Sequence, residues 1–197
     1  MGTPISSLMA WIEILKLQDV DKNLINEFEK DTERLERITE RFSKIGSKPE
    51  LFPANLVEAL NSTISYLKSR SSNKVIFKTS FSEDDVVETP LNTALFSWVI
   101  ENLCKNAIDA MENHGTITIN LLEKGNQILI DITDTGKGVP KSQFKTIFQP
   151  GYSTKKRGWG LGLSLAKRII ENYHNGKIFI KWSEIGKGTT FRIVLYK

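Results

Sequence analysis

Apolar residues recur every three or four positions at the start of the chain, and this spacing predicts two helices. The first opens at Thr3-Pro4, where a capping residue precedes a proline at the first helical position. A polar break at 18–21 separates it from the second helix, which ends near Gly46 and Pro49. The second helix carries apolar residues on the alternating steps of a helical bundle: Leu24, Phe28, Leu35, Ile38, Phe42 and Ile45. Because two helices bury little surface, we expect residues 1–48 to form half of a dimeric four-helix bundle.

The hydrophobic period changes after Pro53, and residues 49–197 are predicted to form a second domain. Its predicted elements are a helix at 55–70, a strand at 74–79, a helix from Thr89-Pro90 to about Met111, a hairpin of strands at 116–122 and 127–133, a helix at 161–173, and strands at 177–182 and 189–196. Helices and strands are mixed without regular β-α-β alternation. We therefore expect an α+β protein: a helical hairpin followed by an α/β sandwich with helices on one face of a mixed sheet.

Composition and charge exclude several classes of protein. The 197 residues are 40% hydrophobic and 25% charged, which is ordinary for a soluble globular protein. No apolar run approaches the ~20 residues that a membrane-spanning helix needs. The net charge of +4 comes without a dense Lys/Arg tract, so nucleic acid is not an expected partner. The single cysteine, Cys104, fits a reducing cytoplasm, and its place in an apolar helix predicts inert packing.

Two asparagines lie four residues apart in the helix that ends near Met111. Asn102 and Asn106 project from one helix face, and a carboxamide oxygen is a suitable ligand for magnesium. Local capping or packing would explain one such asparagine. A pair inside an apolar helix is costly without partners, so a metal or phosphate site stands beside the local explanation as an equal alternative.

A carboxylate follows the strand at 127–133. Asp134 is placed to accept a hydrogen from the exocyclic amine of a purine, and Gly136 and Gly138 would let the backbone approach a ring closely. A surface aspartate in a Thr-Gly turn remains the simpler alternative for this motif taken alone.

Three alternating glycines precede the helix at 161–173. Gly158, Gly160 and Gly162 leave backbone N–H groups free to wrap an anion, and the cations of residues 155–157 stand beside them. Tight turns are the plainer explanation of the glycines, which the adjacent cations disfavour. A P-loop is excluded because no GxxxxGK[ST] occurs, and the spacing does not match a dinucleotide fingerprint.

The two histidines suggest no chemistry. His114, directly before Gly115, and His174, two residues before Gly176, both lie where a helix is predicted to end, a place that favours cationic side chains.

From about Leu56 onward, these motifs together resemble the catalytic ATP-binding domain of sensor histidine kinases, in the superfamily that also holds gyrase and MutL-type ATPases. The resemblance implies a Bergerat-type ATP-binding fold with ATP and Mg²⁺ as cofactors. Its five ordered motifs are an N box at 102–106, a first glycine box at 134–138, an F box at 144–150, a second glycine box at 158–163 and a third at 186–189.

The resemblance also implies roles at the two ends of the nucleotide. Asn106 would bind magnesium and Asn102 would lie by the phosphates. Asp134 would bond the adenine amine with support from Thr189, and Lys155 would reach the terminal phosphates. The remaining nucleotide-binding residues would be Asp109, Gly136, Gly138, Gly158, Gly160, Leu161, Gly162 and Leu163.

Catalysis and lid closure follow from the same resemblance. Glu101 or Asn102 would orient the reacting groups, together with Lys155. Residues 151–160 would form a mobile lid, although Gly151-Tyr152 stands where the family often has two aromatics.

The reaction implied is transfer of the ATP γ-phosphoryl to a histidine and then to an aspartate in the receiver domain of a response regulator. The N-terminal hairpin resembles the family's dimerisation and phosphoacceptor domain, whose first helix carries H-x-x-x-T-P. Thr3 fits the threonine of that signature, which can help to position water for dephosphorylating the partner. The expectation is a homodimeric, ATP-dependent histidine kinase that lacks its own acceptor histidine and cannot autophosphorylate. It would be cytoplasmic, with any membrane anchor in segments outside this sequence.

A conformational ATPase of the gyrase or MutL kind is the alternative. That class has a glutamate base four residues before the metal-binding asparagine, and Asn102 occupies this position here.

Overall fold

A computed structural model describes residues 4–18, 21, 24–25, 28–29, 32, 49–154 and 160–197, which divide into two units, Met1–Pro49 and Glu50–Lys197. In the first unit, helix α1 spans Pro4–Lys16. Lys16 bonds Glu13 at 2.8 Å and Glu29 at 2.6 Å, and these two carboxylates raise the pKa of Lys16 above its usual value. The ion pair with Glu29 links α1 to the helical residues that follow the polar break.

The apolar pattern of the first unit differs in part from the predicted one. Ile25 is buried, whereas Leu24 and Phe28 of the predicted seam are half exposed. Ile12 of α1 is buried beside Thr32. The rest of the predicted second helix, from 33 to 48, lies outside the described residues, as does Thr3.

The described part of the second unit combines two sheets with three α-helices. The strands are β1 (Phe52–Asn55), β2 (Val75–Thr79), β3 (Glu88–Leu91), β4 (Gly115–Lys124), β5 (Gln127–Asp134), β6 (Lys177–Glu184) and β7 (Gly188–Tyr196), and the helices are α2 (Leu56–Lys68), α3 (Thr93–Ala110) and α4 (Gly162–Arg168). The main sheet has the order β2-β4-β5-β7-β6, in which only the β2–β4 pair is parallel. β1 and β3 form a separate antiparallel pair.

Strand alternation decides which face of the main sheet the helices cover. Ile128, Ile130 and Ile132 of β5 are fully buried, and β4 and β7 place Ile119 and Phe191 opposite Ile132. Every second residue of a strand points to one face, so this isoleucine row forms the floor of the core. The buried faces of α2 and α3 cover it. The predicted fold, with helices on one face of a mixed sheet, is confirmed.

The other face of the sheet carries a buried ion pair. Asp131 of β5 is 8% exposed and accepts two bonds from Arg192, at 2.6 and 2.7 Å, and one from Lys181 at 2.8 Å. Burial alone would raise the pKa of Asp131, but the hydrogen bonds from Arg192 and Lys181 outweigh it and lower the pKa. The strand therefore holds two aspartates, Asp131 and Asp134, on opposite faces of the sheet.

Two helix boundaries differ from the prediction. Thr89-Pro90 does not open a helix, because both residues belong to β3 and pair with Pro53 and Ala54 of β1. α3 begins at Thr93, and the side chain of Asn92 caps it by accepting from Leu95 N. The signal of a polar residue before proline was wrong here since an edge strand also tolerates proline.

The last predicted helix has two parts. α4 ends at Arg168 and continues as a π-helical turn over Ile169–Tyr173, in which the N–H of His174 bonds Ile169 O at 3.2 Å. Cys104 of α3 is fully buried as predicted, and burial raises the pKa of its thiol to about 12.

His174 is a neutral structural bridge, so the expectation of a cationic histidine at this helix end was wrong. Its Nδ1–H donates to Ile169 O at 3.0 Å, and its Nε2 accepts from Asn92 N at 3.1 Å. Burial lowers the pKa of His174. The ring also meets Phe96 edge-on at 6.5 Å. His174 thus ties the end of the π-turn to the cap of α3.

We expect His174 to make the folded protein less stable in acid. With the folded pKa lowered, the unfolded chain takes up a proton that the native ring refuses, so stability is full above the unfolded pKa of about 6.5 and is lost as pH falls below it. The loss has a limit of about 1.4 kcal/mol per pH unit for one group. Urea unfolding at pH 7.5 and 5.5 measures this loss of stability. In His174→Gln, the free energy of unfolding should depend less on pH than in wild type.

The matched control is His114→Gln, which replaces an exposed histidine and should keep the wild-type dependence on pH. Equal slopes in wild type and His174→Gln would contradict the bridging role.

Candidate nucleotide site

One face of α3 lines a cavity. Asn102, Asn106 and Asp109 lie at successive helical turns, and all three border it. Glu101 is not among the lining residues, and its carboxylate instead pairs with Lys105 at 2.6 Å. The structure therefore brings the two asparagines together and leaves Glu101 on the neighbouring side of the helix.

The end of β5 supplies a buried carboxylate to the same cavity. Asp134 is 3% exposed, and its Oδ1 accepts from Gly136 N at 2.8 Å. Burial raises the pKa of Asp134, while hydrogen bonds from the backbone of Gly136 and Thr189 oppose the increase. With both donors on the protein side, the carboxylate is held as an acceptor at the cavity wall.

The start of α4 forms a third wall. Gly160, Leu161, Gly162 and Leu163, which belong to the predicted second glycine box, all line the cavity. A Cβ at Gly162 would collide with the side-chain amide of Asn102. Glycine is thus what allows α4 to approach the asparagine face of α3.

The loop after β5 closes against the β6–β7 turn. Gly138 has φ +76°, and a Cβ there would collide with the backbone of Glu184. Lys137 O accepts from Gly186 N at 2.9 Å, so the first and third glycine boxes are joined by backbone contact.

The resulting cavity measures about 490 Å³, within the range of small-molecule sites. Thr189 and Gly138 line it together with the residues of α3, β5 and α4 named above. Gly136 is not among the lining residues, and its backbone N–H bonds the Asp134 carboxylate instead. Lys155 and Gly158 lie outside the described residues.

Several lining residues were given no individual role by sequence reasoning. Lys137, Ile147 and Tyr152–Thr154 lie inside the predicted first glycine box, F box and lid, whereas Val139, Pro140, Gln143 and Phe191 lie outside every predicted motif. The sequence pattern predicts Phe191 only as a core residue of the last strand. Its pairing with Ile132 of β5 is what places it at the cavity. Phe148 of the F box meets the Phe191 ring edge-on at 6.2 Å. Lys137 could have been predicted to line the cavity, because it lies inside the first glycine box.

Comparison with known proteins explains this geometry. The family of histidine kinase-, DNA gyrase B- and HSP90-like ATPases matches residues 92–197, a span that begins at the cap of α3 and includes all the lining residues above. The chain belongs to this ATPase family.

Similar proteins are sensor histidine kinases. Sporulation kinase C of Bacillus subtilis (strain 168) is 31% identical over 198 residues, which cover 98% of this chain and 45% of that protein. Sensor histidine kinase ZraS of Escherichia coli (strain K12) is 34% identical over 170 residues, covering 84% of this chain and 36% of that protein. The chain therefore spans less than half the length of these two relatives.

Solved structures of histidine kinase ThkA share the fold of this ATPase domain. The ThkA catalytic domain has a TM-score of 0.65 at 27% identity and covers 76% of this chain and 97% of that one. ThkA in complex with response regulator protein TrrA has a TM-score of 0.66 at 25% identity and covers 99% and 58%. In the described part of this chain, no helix is both long and apolar enough to cross a membrane.

Proposed function

We propose that this chain is the catalytic part of a protein-histidine kinase, which binds Mg-ATP and transfers its γ-phosphoryl to a histidine. The observation that carries the proposal is one cavity that holds a buried carboxylate, Asp134, at one wall and two carboxamides, Asn102 and Asn106, at another. Membership of the ATPase family and the kinase relatives support it.

The adenine end is assigned to Asp134. A carboxylate already fixed by backbone donors presents its remaining acceptor capacity to the cavity, which suits an exocyclic amine. Thr189 would add a hydroxyl beside it, and Gly138, which packs tightly against Glu184, would let the backbone approach the ring.

The phosphate end is assigned to the asparagine face of α3. The Nδ2 group of Asn102 is buried and has no hydrogen-bond partner among the described residues, so a donor is available for an anionic phosphate oxygen. Asn106 offers a carboxamide oxygen of the type that Mg²⁺ accepts, so the residues fit the ion. Bound there, Mg²⁺ would neutralise charge on the transferring phosphoryl group.

The other assignments extend this site. Asp109, Gly160, Leu161, Gly162 and Leu163 would contact the nucleotide, with Gly136 acting through Asp134. Lys155 and Gly158 would reach the phosphates from the lid at residues 151–160. Positioning and electrostatic stabilisation would supply most of the catalysis.

The acceptor histidine is not one of the two in this sequence, because His174 is a buried bridge and His114 lies outside the cavity lining. We therefore expect no self-phosphorylation by this chain.

The phosphoryl group would pass on to an aspartate of a response-regulator receiver domain, as the ThkA–TrrA complex suggests. Thr3 would position the water that hydrolyses the phosphoaspartate of that receiver domain and releases inorganic phosphate. A cytoplasmic location, as part of a larger sensor protein, is consistent with this role.

Pairing with a second copy is proposed for the N-terminal unit. Trp11 is 63% exposed and Leu17 is 88% exposed, and Leu8 and Ile14 of α1 are also open to solvent. Exposed apolar residues at this density mark an interaction surface, and the helical pattern suits a four-helix bundle. A strict monomer in sedimentation equilibrium at high concentration would contradict this pairing.

Nucleotide binding and turnover together test the kinase assignment. Calorimetry should detect Mg-ATP binding, while steady ATP hydrolysis stays slow because no acceptor histidine is present. Rapid steady turnover would favour the conformational-ATPase alternative, and no binding at all would refute both.

A further inference from the structure

A row of three side chains crosses the sheet beside the cavity. Asp134 of β5 pairs with Thr189 of β7, and Thr189 pairs with Ser183 of β6. Residues directly opposite each other in neighbouring strands project to the same face. Ser183 therefore stands one strand behind Thr189, on the side away from Asp134.

Ser183 has three polar neighbours and only one proton. Its Oγ accepts from Val139 N at 2.8 Å, donates to Gly188 O at 2.9 Å, and lies 3.0 Å from Oγ1 of Thr189. At 7% exposure, Ser183 has little access to water that could replace these bonds.

These contacts decide which hydroxyl donates between Ser183 and Thr189. A carbonyl oxygen can only accept, so the Ser183 proton is committed to Gly188 O. If that proton turned to Thr189 instead, two acceptor oxygens would face each other at 2.9 Å. Thr189 must therefore donate its own proton to Ser183, and what remains on its oxygen is a lone pair.

We propose that Ser183 is a specificity-determining positioning residue, which makes Thr189 a fixed acceptor and so selects a 6-amino purine over a 6-oxo purine. The inference rests on the proposed assignment of the adenine end to this cavity. Asp134 and Thr189 would both accept, which matches the amine of ATP and repels the oxo group of inosine triphosphate. Without Ser183, the Thr189 hydroxyl could rotate and donate to that oxo group.

A comparison of ATP with inosine triphosphate tests the proposal, because the two nucleotides differ at this edge of the base. Titration calorimetry on wild type and Ser183→Ala gives the ratio of ATP affinity to inosine triphosphate affinity. We expect this ratio to fall by about tenfold in Ser183→Ala, because one contact with the oxo group changes from repulsive to an attractive hydrogen bond. ATP affinity itself should also weaken, since Val139 N loses its acceptor, but only the ratio reports the orientation of the Thr189 proton.

A double-mutant cycle separates positioning from a general loosening of the site. In a Thr189→Val background no hydroxyl remains to reorient, so Ser183→Ala should leave the ratio unchanged. The control Thr133→Val removes a hydroxyl from a similar cross-strand pair, in which Thr133 and Thr190 lie 3.0 Å apart, and should not change the ratio. If Ser183→Ala fails to fold, Ser183→Cys keeps a weak donor and acceptor in place and should shift the ratio in the same direction by less.

The outcomes are distinct. An unchanged ratio in folded Ser183→Ala, or the same shift with and without Thr189, would overturn the inference while leaving ATP binding intact. A wild-type chain that binds neither nucleotide would instead refute the proposed function, and the inference with it.

Discussion

Replacing Asp134 with asparagine should abolish most ATP binding, with an affinity loss of at least about 100-fold. The two backbone donors on the protein side, from Gly136 and Thr189, require an acceptor. An amide that turns its oxygen toward them presents its NH₂ group to the cavity, where the adenine amine is also a donor. Calorimetry with Mg-ATP measures the loss.

The same strand offers the matched control. Asp131→Asn changes a second aspartate of β5 in the same way, but its side chain lies on the opposite face of the sheet, paired with Arg192 and Lys181. We expect this variant to lose about 1 kcal/mol of stability, after screening by solvent, and to keep its ATP affinity. Unchanged affinity in Asp134→Asn, or equal losses in both variants, would contradict the assignment of the adenine end.

Asn106→Ala should remove the dependence of nucleotide binding on magnesium. Removing the carboxamide oxygen takes away the protein's own ligand to the ion, so affinity for Mg-ATP should fall about 10- to 100-fold. Affinity measured in EDTA should change little. The quantity to compare is the ratio of ATP affinities with and without Mg²⁺ in wild type and variant.

Asn120→Ala serves as the control, because Asn120 is an exposed asparagine in β4. Its affinity ratio should match that of wild type. A full magnesium effect in Asn106→Ala would place the metal ligand elsewhere on the cavity wall, and Asp109 would be the next residue to test.

The local sequence pattern was sufficient to predict most strands of the main sheet. The alternation of Ile128, Ile130 and Ile132 predicted a strand with one buried side, and all three are buried. The Gly125 turn predicted the β4–β5 hairpin, which the structure contains. The same local reasoning failed at Thr89-Pro90, where pairing with β1 overrides a helix-start signal.

His174 shows that local sequence pattern cannot predict the protonation state of a buried side chain. Its place near a glycine at a predicted helix end favoured a cation, but its ring is buried against Phe96 and bonded to Asn92, 82 residues earlier in the chain. A pKa depends on the groups that surround a side chain, and these come from distant segments.

The sequence by itself determined the kinds of residue at the site, because glycines, asparagines and a strand-end aspartate are identified by local spacing and chemistry. Only the tertiary structure decided that Glu101 turns away to Lys105, that Phe191 reaches the cavity, and that Ser183 stands behind Thr189. The physical reason is strand order: β7 lies between β5 and β6, and no local pattern encodes which strands become neighbours. The direction of a hydroxyl proton depends on that neighbourhood, and so does the choice of base that we propose for this site.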